Sequence, residues 1–346
     1  MTGFSHAPAR PVSKVCPERL AVGARNLLVG CAGLQAGQSV LIVHEDPRLG
    51  WYDAAAPAAV ADEARRLGIA VWTEEVPGPA DGPPPDLAGA AALHDAIIFF
   101  ARIGDQVRFC EKASDHVCLV SYARTAAELA SEYGTRDHAA MLALKDRADL
   151  ALQGADGIEI TCPLGTRVTG TPVRRQTAPP DVTVRRFPMA VPAPVEAEGF
   201  SGTVALTGFL TPTGSKVYQP AWLELDCLVM AEMHGGRITG FDGPREMVAR
   251  IEDHYRTVAA QFSIDPWTVH SWHPGLHDAN RFAGRAEDNP DLWSNSVFAH
   301  PRWLHFHTCG AYPPGEICWM VRDATVQADG RVLWSEGQID LDQDRP

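Results

Sequence analysis

Apolar positions in the first 160 residues fall into short runs set among stretches of helical period. SVLIVHE (39–45), GIAVWTEEV (68–76), DAIIFFAR (95–102) and HVCLVSYA (116–123) have strand length and many β-branched residues, the pattern of buried strands. Residues 13–36, 53–67, 86–94 and 137–153 read as helices around them. This alternation predicts an α/β fold whose first domain, 1–160, is a mostly parallel, Rossmann-like sheet with helices on both faces. After GIEITCP (157–163) the pattern changes. Residues 164–221 are rich in Pro, Gly and Thr without helical period, so short strands and loops are expected. WLELDCLVMAEMHGGRITGFDG (222–243) reads as a hairpin turning near His234-Gly235-Gly236. Residues 244–262 place Met247, Val248, Ile251, Tyr255, Val258, Ala259 and Phe262 on one helical stripe. ICWMVRDATVQ (317–327) and RVLWSEG (331–337) read as closing strands. The second domain, 161–346, is therefore expected to be mixed α+β.

Length and charge narrow the function. A chain of 346 residues suits two cores. A net charge of −13 argues against nucleic acid as a partner. The basic pairs Arg174-Arg175 and Arg185-Arg186 are too short to reverse it; they suit a solvated loop or the binding of a carboxylate. No apolar run reaches the roughly 20 residues of a membrane span, and MTGFSHAPARPVSK lacks the apolar core of a signal peptide. A cytoplasmic location is expected. The eight cysteines include no C-x-x-C pair and read as free thiols. The first strand runs into HEDPRLGWYD rather than a glycine loop, so no dinucleotide is expected.

The chemistry concentrates late in the chain. Six of the 13 histidines lie between residues 270 and 307: His270, His273 and His277 in HSWHPGLH, then His300, His305 and His307 in HPRWLHFH. Neutral imidazole is the commonest ligand of mid-row divalent metals. At strand spacing His305 and His307 share a face. Glu316 follows a Pro-Pro-Gly turn and is the candidate anionic ligand. Asp105 stands at a strand's carboxyl end, where α/β sheets place ligand-contacting groups, and is a candidate acid or base. The metal set expected is drawn from His270, His273, His305, His307 and Glu316, in a cleft between the two domains.

The ordered set AAVADEARRLGIAVWTEEVP, DAIIFFARIGD, GADGIEITCPLGTRVTG, EMHGGRITGFDG, HSWHPGLHDANR, HFHTCGAY and DATVQADGRVLW resembles the thermophilic-metalloprotease aminopeptidases, the aminopeptidase T and S group. In length the chain is closer to that family's 2,5-dihydroxypyridine 5,6-dioxygenase branch. The resemblance spans about residues 15 to 340 and implies the fold, a metal-dependent activity and a homo-oligomer. It matches HFHTCGAY to a segment that opens with a metal-binding histidine and closes with a tyrosine, here Tyr312. The family's late His-x-Asp reads Pro314-Gly315-Glu316 in this chain. The expectation is a mononuclear Fe(II) oxygenase acting on a small aromatic or heteroaromatic molecule. The alternative is a zinc- or manganese-dependent hydrolase.

Overall fold

The computed structural model describes residues 15–79, 89, 93–109, 116–173, 184–311 and 315–341. Five parallel strands form one sheet, in the order Ala70–Val76, Ser39–Glu45, Ala96–Phe100, Val117–Ser121 and Arg185–Phe187. Alternation divides the central strands between two cores. Val40, Ile42, Ile98, Phe100 and Leu119 pack against the helices Pro17–Arg25 and Ala55–Arg66, whose Ala24, Ala56 and Val60 are fully buried. Leu41, Val43, Ile97, Phe99 and Val120 face the other way, onto Ile103, Val107, Tyr122 and Phe298. Helices were expected on both faces. Among the described residues the second face is closed by the helical turn Ile103–Gln106 and by Phe298, which belongs to the later half of the chain. The helix expected over 86–94 lies largely outside the described residues, as do Arg174 and Arg175.

The rest of the chain builds a large, mostly antiparallel sheet of twelve strands. The chain enters it at Ile158–Thr161 and returns to the parallel sheet at Arg185–Phe187, so it passes between the two sheets more than once. Phe200–Pro212 is a single 13-residue strand where short strands and loops were expected. It pairs with Leu223–His234, Arg167–Gly170 and Ile317–Arg322, and this pairing outweighs its weak alternation. A side chain at Gly202 (φ 142°) would lie 2.1 Å from the Arg167 carbonyl, so only glycine permits that approach. The run ICWMVRDATVQ breaks at Asp323, which has φ 52° and a carboxylate held by Arg302 at 2.6 and 2.8 Å. Pro290–Val297 is a helix that the pattern did not announce; its N-cap Asn289 accepts a hydrogen bond from the Leu292 amide. The helix Arg245–Phe262 delivers Met247, Ile251, Tyr255 and Val258 to a core that also buries Trp272, Trp319 and Trp334. No helix among the described residues is long and apolar enough to cross a membrane.

Two histidines of this framework give it a pH dependence. His254 and His277 are 4% and 0% exposed, and burial is the main cause that lowers each to about 4 from the usual 6.5. Above 6.5 both are neutral in the folded and unfolded states and cost nothing. As pH falls below 6.5 the unfolded chain takes up protons that the folded chain refuses. The loss grows until pH reaches about 4, at about 3 kcal/mol per histidine. Urea midpoints should therefore fall across that window, and His254→Leu should flatten the fall. An unchanged pH profile in His254→Leu would contradict this.

Candidate functional site

Two neighbouring strands, Val269–Pro274 and Trp303–Thr308, carry the central imidazoles. Their register sets His273 opposite His305 and Ser271 opposite His307. The next strand, Ile317–Arg322, sets Met320 and Cys318 opposite the same two histidines. Period two then sorts the residues. Trp272, Phe306 and Trp319 point into the core, whereas His273, His305 and His307 share the opposite face. The ring centroids of His273 lie 5.3 Å from those of His305 and 5.0 Å from those of His307; His305 and His307 are 6.4 Å apart.

All three rings are buried, at 5%, 2% and 7% exposure for His273, His305 and His307. Burial lowers His305 to about 3. It drives His307 and His273 well below the usual value, with further depression from their neighbouring imidazoles, from Arg108 on His307 and from Arg186 on His273. All three are therefore neutral at physiological pH, the form that coordinates metals. Among the described residues His305 Nε2 and His307 Nδ1 have no hydrogen-bond partner. His273 Nδ1 lies 3.3 Å from the Pro274 carbonyl; with Nδ1 as the donor, the lone pair stays on Nε2. Each unpaired buried nitrogen costs about 1–3 kcal/mol, so these atoms mark a place where a ligand or ion would restore a lost interaction.

The other expected residues stand differently. His270 lies at a β-bulge, half-buried, with Nδ1 2.9 Å from Ser271 Oγ, and it adds to the lowering of His307. His277 packs edge-on against Tyr133, and His300 Nδ1 accepts the Arg302 amide. Glu316 is 1% exposed, and its Oε1 is 3.7 Å from Lys216 Nζ. Its backbone is fixed by bonds to Thr308, Cys309, Thr213 and Tyr218. Tyr312 lies outside the described residues. Among the described residues no group of three or more His, Cys, Asp or Glu side chains is arranged to hold a metal ion as it stands. The chemistry of the three-imidazole set nevertheless fits one: three neutral nitrogen donors on one rigid face, two of them without partners.

The parallel sheet supplies the polar groups next to this face. Asp105, 6% exposed, accepts hydrogen bonds from the Tyr122 hydroxyl (2.6 Å), Arg108 Nη1 (2.8 Å) and the Ser215 amide (2.8 Å). Burial alone would raise its pKa, but Arg108, Tyr122 and Ser215 together hold it below the usual carboxylate range. Asp105 thus ties the parallel sheet to Ser215, just beyond the strand Phe200–Pro212 of the other sheet. Gly214 has φ 58°, and a Cβ there would lie 2.5 Å from Asp105 Oδ2. Gly214→Ala is expected to cost about 1–3 kcal/mol in thermal or urea unfolding; wild-type stability would show that this clamp is slack. Sequence reading overlooked Arg124, and it read Arg186, in the pair Arg185-Arg186, as solvated or carboxylate-binding; Arg124 and Arg186 are both buried. Their one signal is position, just beyond one parallel strand and within another, and hydrophobic patterning does not reveal a buried charge.

No family model matches the chain, and no curated protein matches it. Among solved structures it is similar to AmpT from Thermus thermophilus, at 13% identity over 93% of this chain and 99% of that one, with a TM-score of 0.48. It is similar also to 2,5-dihydroxypyridine dioxygenase from Pseudomonas putida KT2440, at 16% identity over 95% of this chain and 98% of that one, with a TM-score of 0.60. At such identity the likeness is one of fold. The resemblance read from the sequence holds at that level: over nearly its whole length this chain has the fold of 2,5-dihydroxypyridine dioxygenase.

Proposed function

We propose that the chain is a mononuclear non-haem iron oxygenase acting on a small aromatic or heteroaromatic molecule, with His273, His305 and His307 as the metal-holding side chains. The observation that carries this reading is the convergence of three buried, neutral imidazoles on one sheet face, in a chain with the fold of a dioxygenase. Bound iron would supply a redox-active Lewis acid with positions open to substrate and oxygen. The protein's own groups do the rest. The strand pairing fixes the imidazoles on a rigid frame, and burial excludes bulk water from them. Arg108 and Arg186 disfavour a proton on His307 and His273 and so keep both as ligands. Asp105, held ionised by its three donors, orients Tyr122 and Arg108 rather than exchanging a proton itself. Glu316 faces Lys216, which leaves the imidazoles as the principal donors.

A dinuclear hydrolase would require several bridging carboxylates, and the side chains set beside this trio across the strands are Ser271, Met320 and Cys318. The test is oxygen uptake by iron-loaded protein on a panel of hydroxylated benzenes and pyridines, run beside zinc- or manganese-loaded protein on aminoacyl anilides. Oxygen uptake with product formation supports the reading. Anilide hydrolysis without oxygen uptake would replace it with the hydrolase.

A further inference from the structure

Arg124 is a charged side chain sealed in the protein with almost nothing to bind. It follows the parallel strand Val117–Ser121 and is 3% exposed. A guanidinium carries five N–H donors and keeps its charge in any fold. Among the described residues one bond is made, from Nη1 to Ser296 Oγ at a long 3.4 Å, and Nε has no partner. Glu128 and Asp105 act on Arg124 at a distance, but their carboxylates are committed elsewhere. Glu128 accepts the backbone amides of Arg124 and Thr125, and Asp105 binds Arg108, Tyr122 and Ser215. Asp291 also lies within electrostatic range and is bonded by Asn295. A desolvated cation costs several kcal/mol unless an anion meets it with good geometry.

The surroundings of Arg124 are preorganised and flat. Its carbonyl accepts the Asp53 amide, which pins it to the loop after the first strand. That loop presents Trp51, whose ring has the Arg124 guanidinium 5.1 Å from its centroid and the Arg102 guanidinium 4.3 Å away. Arg102 is already paired with Glu45 at 3.1 Å, which leaves Arg124 as the cation short of an anion in this group. Two contacts join the group to the imidazole face. Ser296 binds Arg124, and Phe298, two residues on, packs against both Tyr122 (5.0 Å) and His305 (6.3 Å). Arg124 is therefore linked to the proposed metal centre through Ser296 and Phe298, and it follows the carboxyl end of a parallel strand, where open α/β sheets bind ligands.

We propose that Arg124, with Ser296 and the Trp51 face, is a carboxylate subsite, so that the molecule acted on is an aromatic acid and not a neutral ring. A planar guanidinium matches a carboxylate edge to edge. A phosphate would call for a glycine-amide cradle, and this loop carries Trp51 and Tyr52 in its place. The inference rests on the imidazole face being the substrate site, and its test does not depend on the metal.

The experiment is calorimetric titration of the purified full-length protein with benzoate and 3-hydroxybenzoate against benzamide and 3-hydroxybenzamide, with and without a chelator. Wild-type protein should prefer the acids by at least about tenfold, the scale of one charge-assisted pair. Arg124→Met should abolish that preference, and Arg124→Lys should retain part of it. Metal content, measured on the same samples, should be unchanged in both variants. Equal binding of acids and amides by the wild type would overturn the proposal, as would no binding of either acid or a full acid preference in Arg124→Met. The wild-type comparison decides even if a variant fails to fold. An acid preference that survives the chelator leaves this subsite standing whatever becomes of the oxygenase reading, which oxygen uptake by the iron-loaded protein decides separately.

Discussion

Alanine in place of His305 is expected to weaken Fe(II) binding by at least about 100-fold while the protein stays folded. Even second-shell partners of metal ligands cost 10–100-fold when removed, and loss of a ligand should cost no less. His305 sits at the centre of the face, opposite His273 in register and two residues from His307. Its Nε2 makes no hydrogen bond, so its removal strands no partner inside the protein. Stability should change little compared with metal affinity. His277→Ala is the matched control, since His277 is as deeply buried but packs on Tyr133. Fe(II) titration of both variants separates the cases. Equal affinities in the two variants would remove His305 from the metal set.

The largest loss of stability should come from Trp272→Ala, at about 3–5 kcal/mol in urea unfolding. Trp272 is fully buried and meets Phe200 edge-on with centroids 5.4 Å apart. It pairs with Phe306 across the strands, directly behind the imidazole face. The cavity would open beneath the backbone that spaces Ser271 and His273, so metal affinity should fall with stability. A loss under about 1 kcal/mol would mean that the core relaxes around the void and does not support the strand.

The sequence made much of this legible wherever the determining contacts are local. The four parallel strands before residue 124 and the helix His138–Gln153 carry their own periodicity and were placed within a few residues. The shared face of His305 and His307 follows from period two alone. Non-local information was hidden. His273 joins the pair through cross-strand register, and the bulge between Val269 and Ser271 that offsets His270 leaves no mark in the residue types. The fifth parallel strand, Arg185–Phe187, is recruited from beyond the expected boundary because an open sheet edge accepts any suitable segment. Glu316 was read as a ligand because it follows a turn near the histidines; that Lys216, 100 residues away in sequence, lies 3.7 Å from its carboxylate could not be read from spacing. Arg124 drew no reading, and Asp105 was read only from its place after a strand, because the residue types do not say which charges the fold covers.

The most direct test of the central claim is iron K-edge X-ray absorption on protein loaded anaerobically with Fe(II), which counts imidazole ligands through their outer-shell scattering. Scattering from at least two and up to three imidazoles is expected, diminished in His273→Ala and again in the His273→Ala/His305→Ala pair. An iron environment without imidazole, or one unaltered by both substitutions, would contradict it.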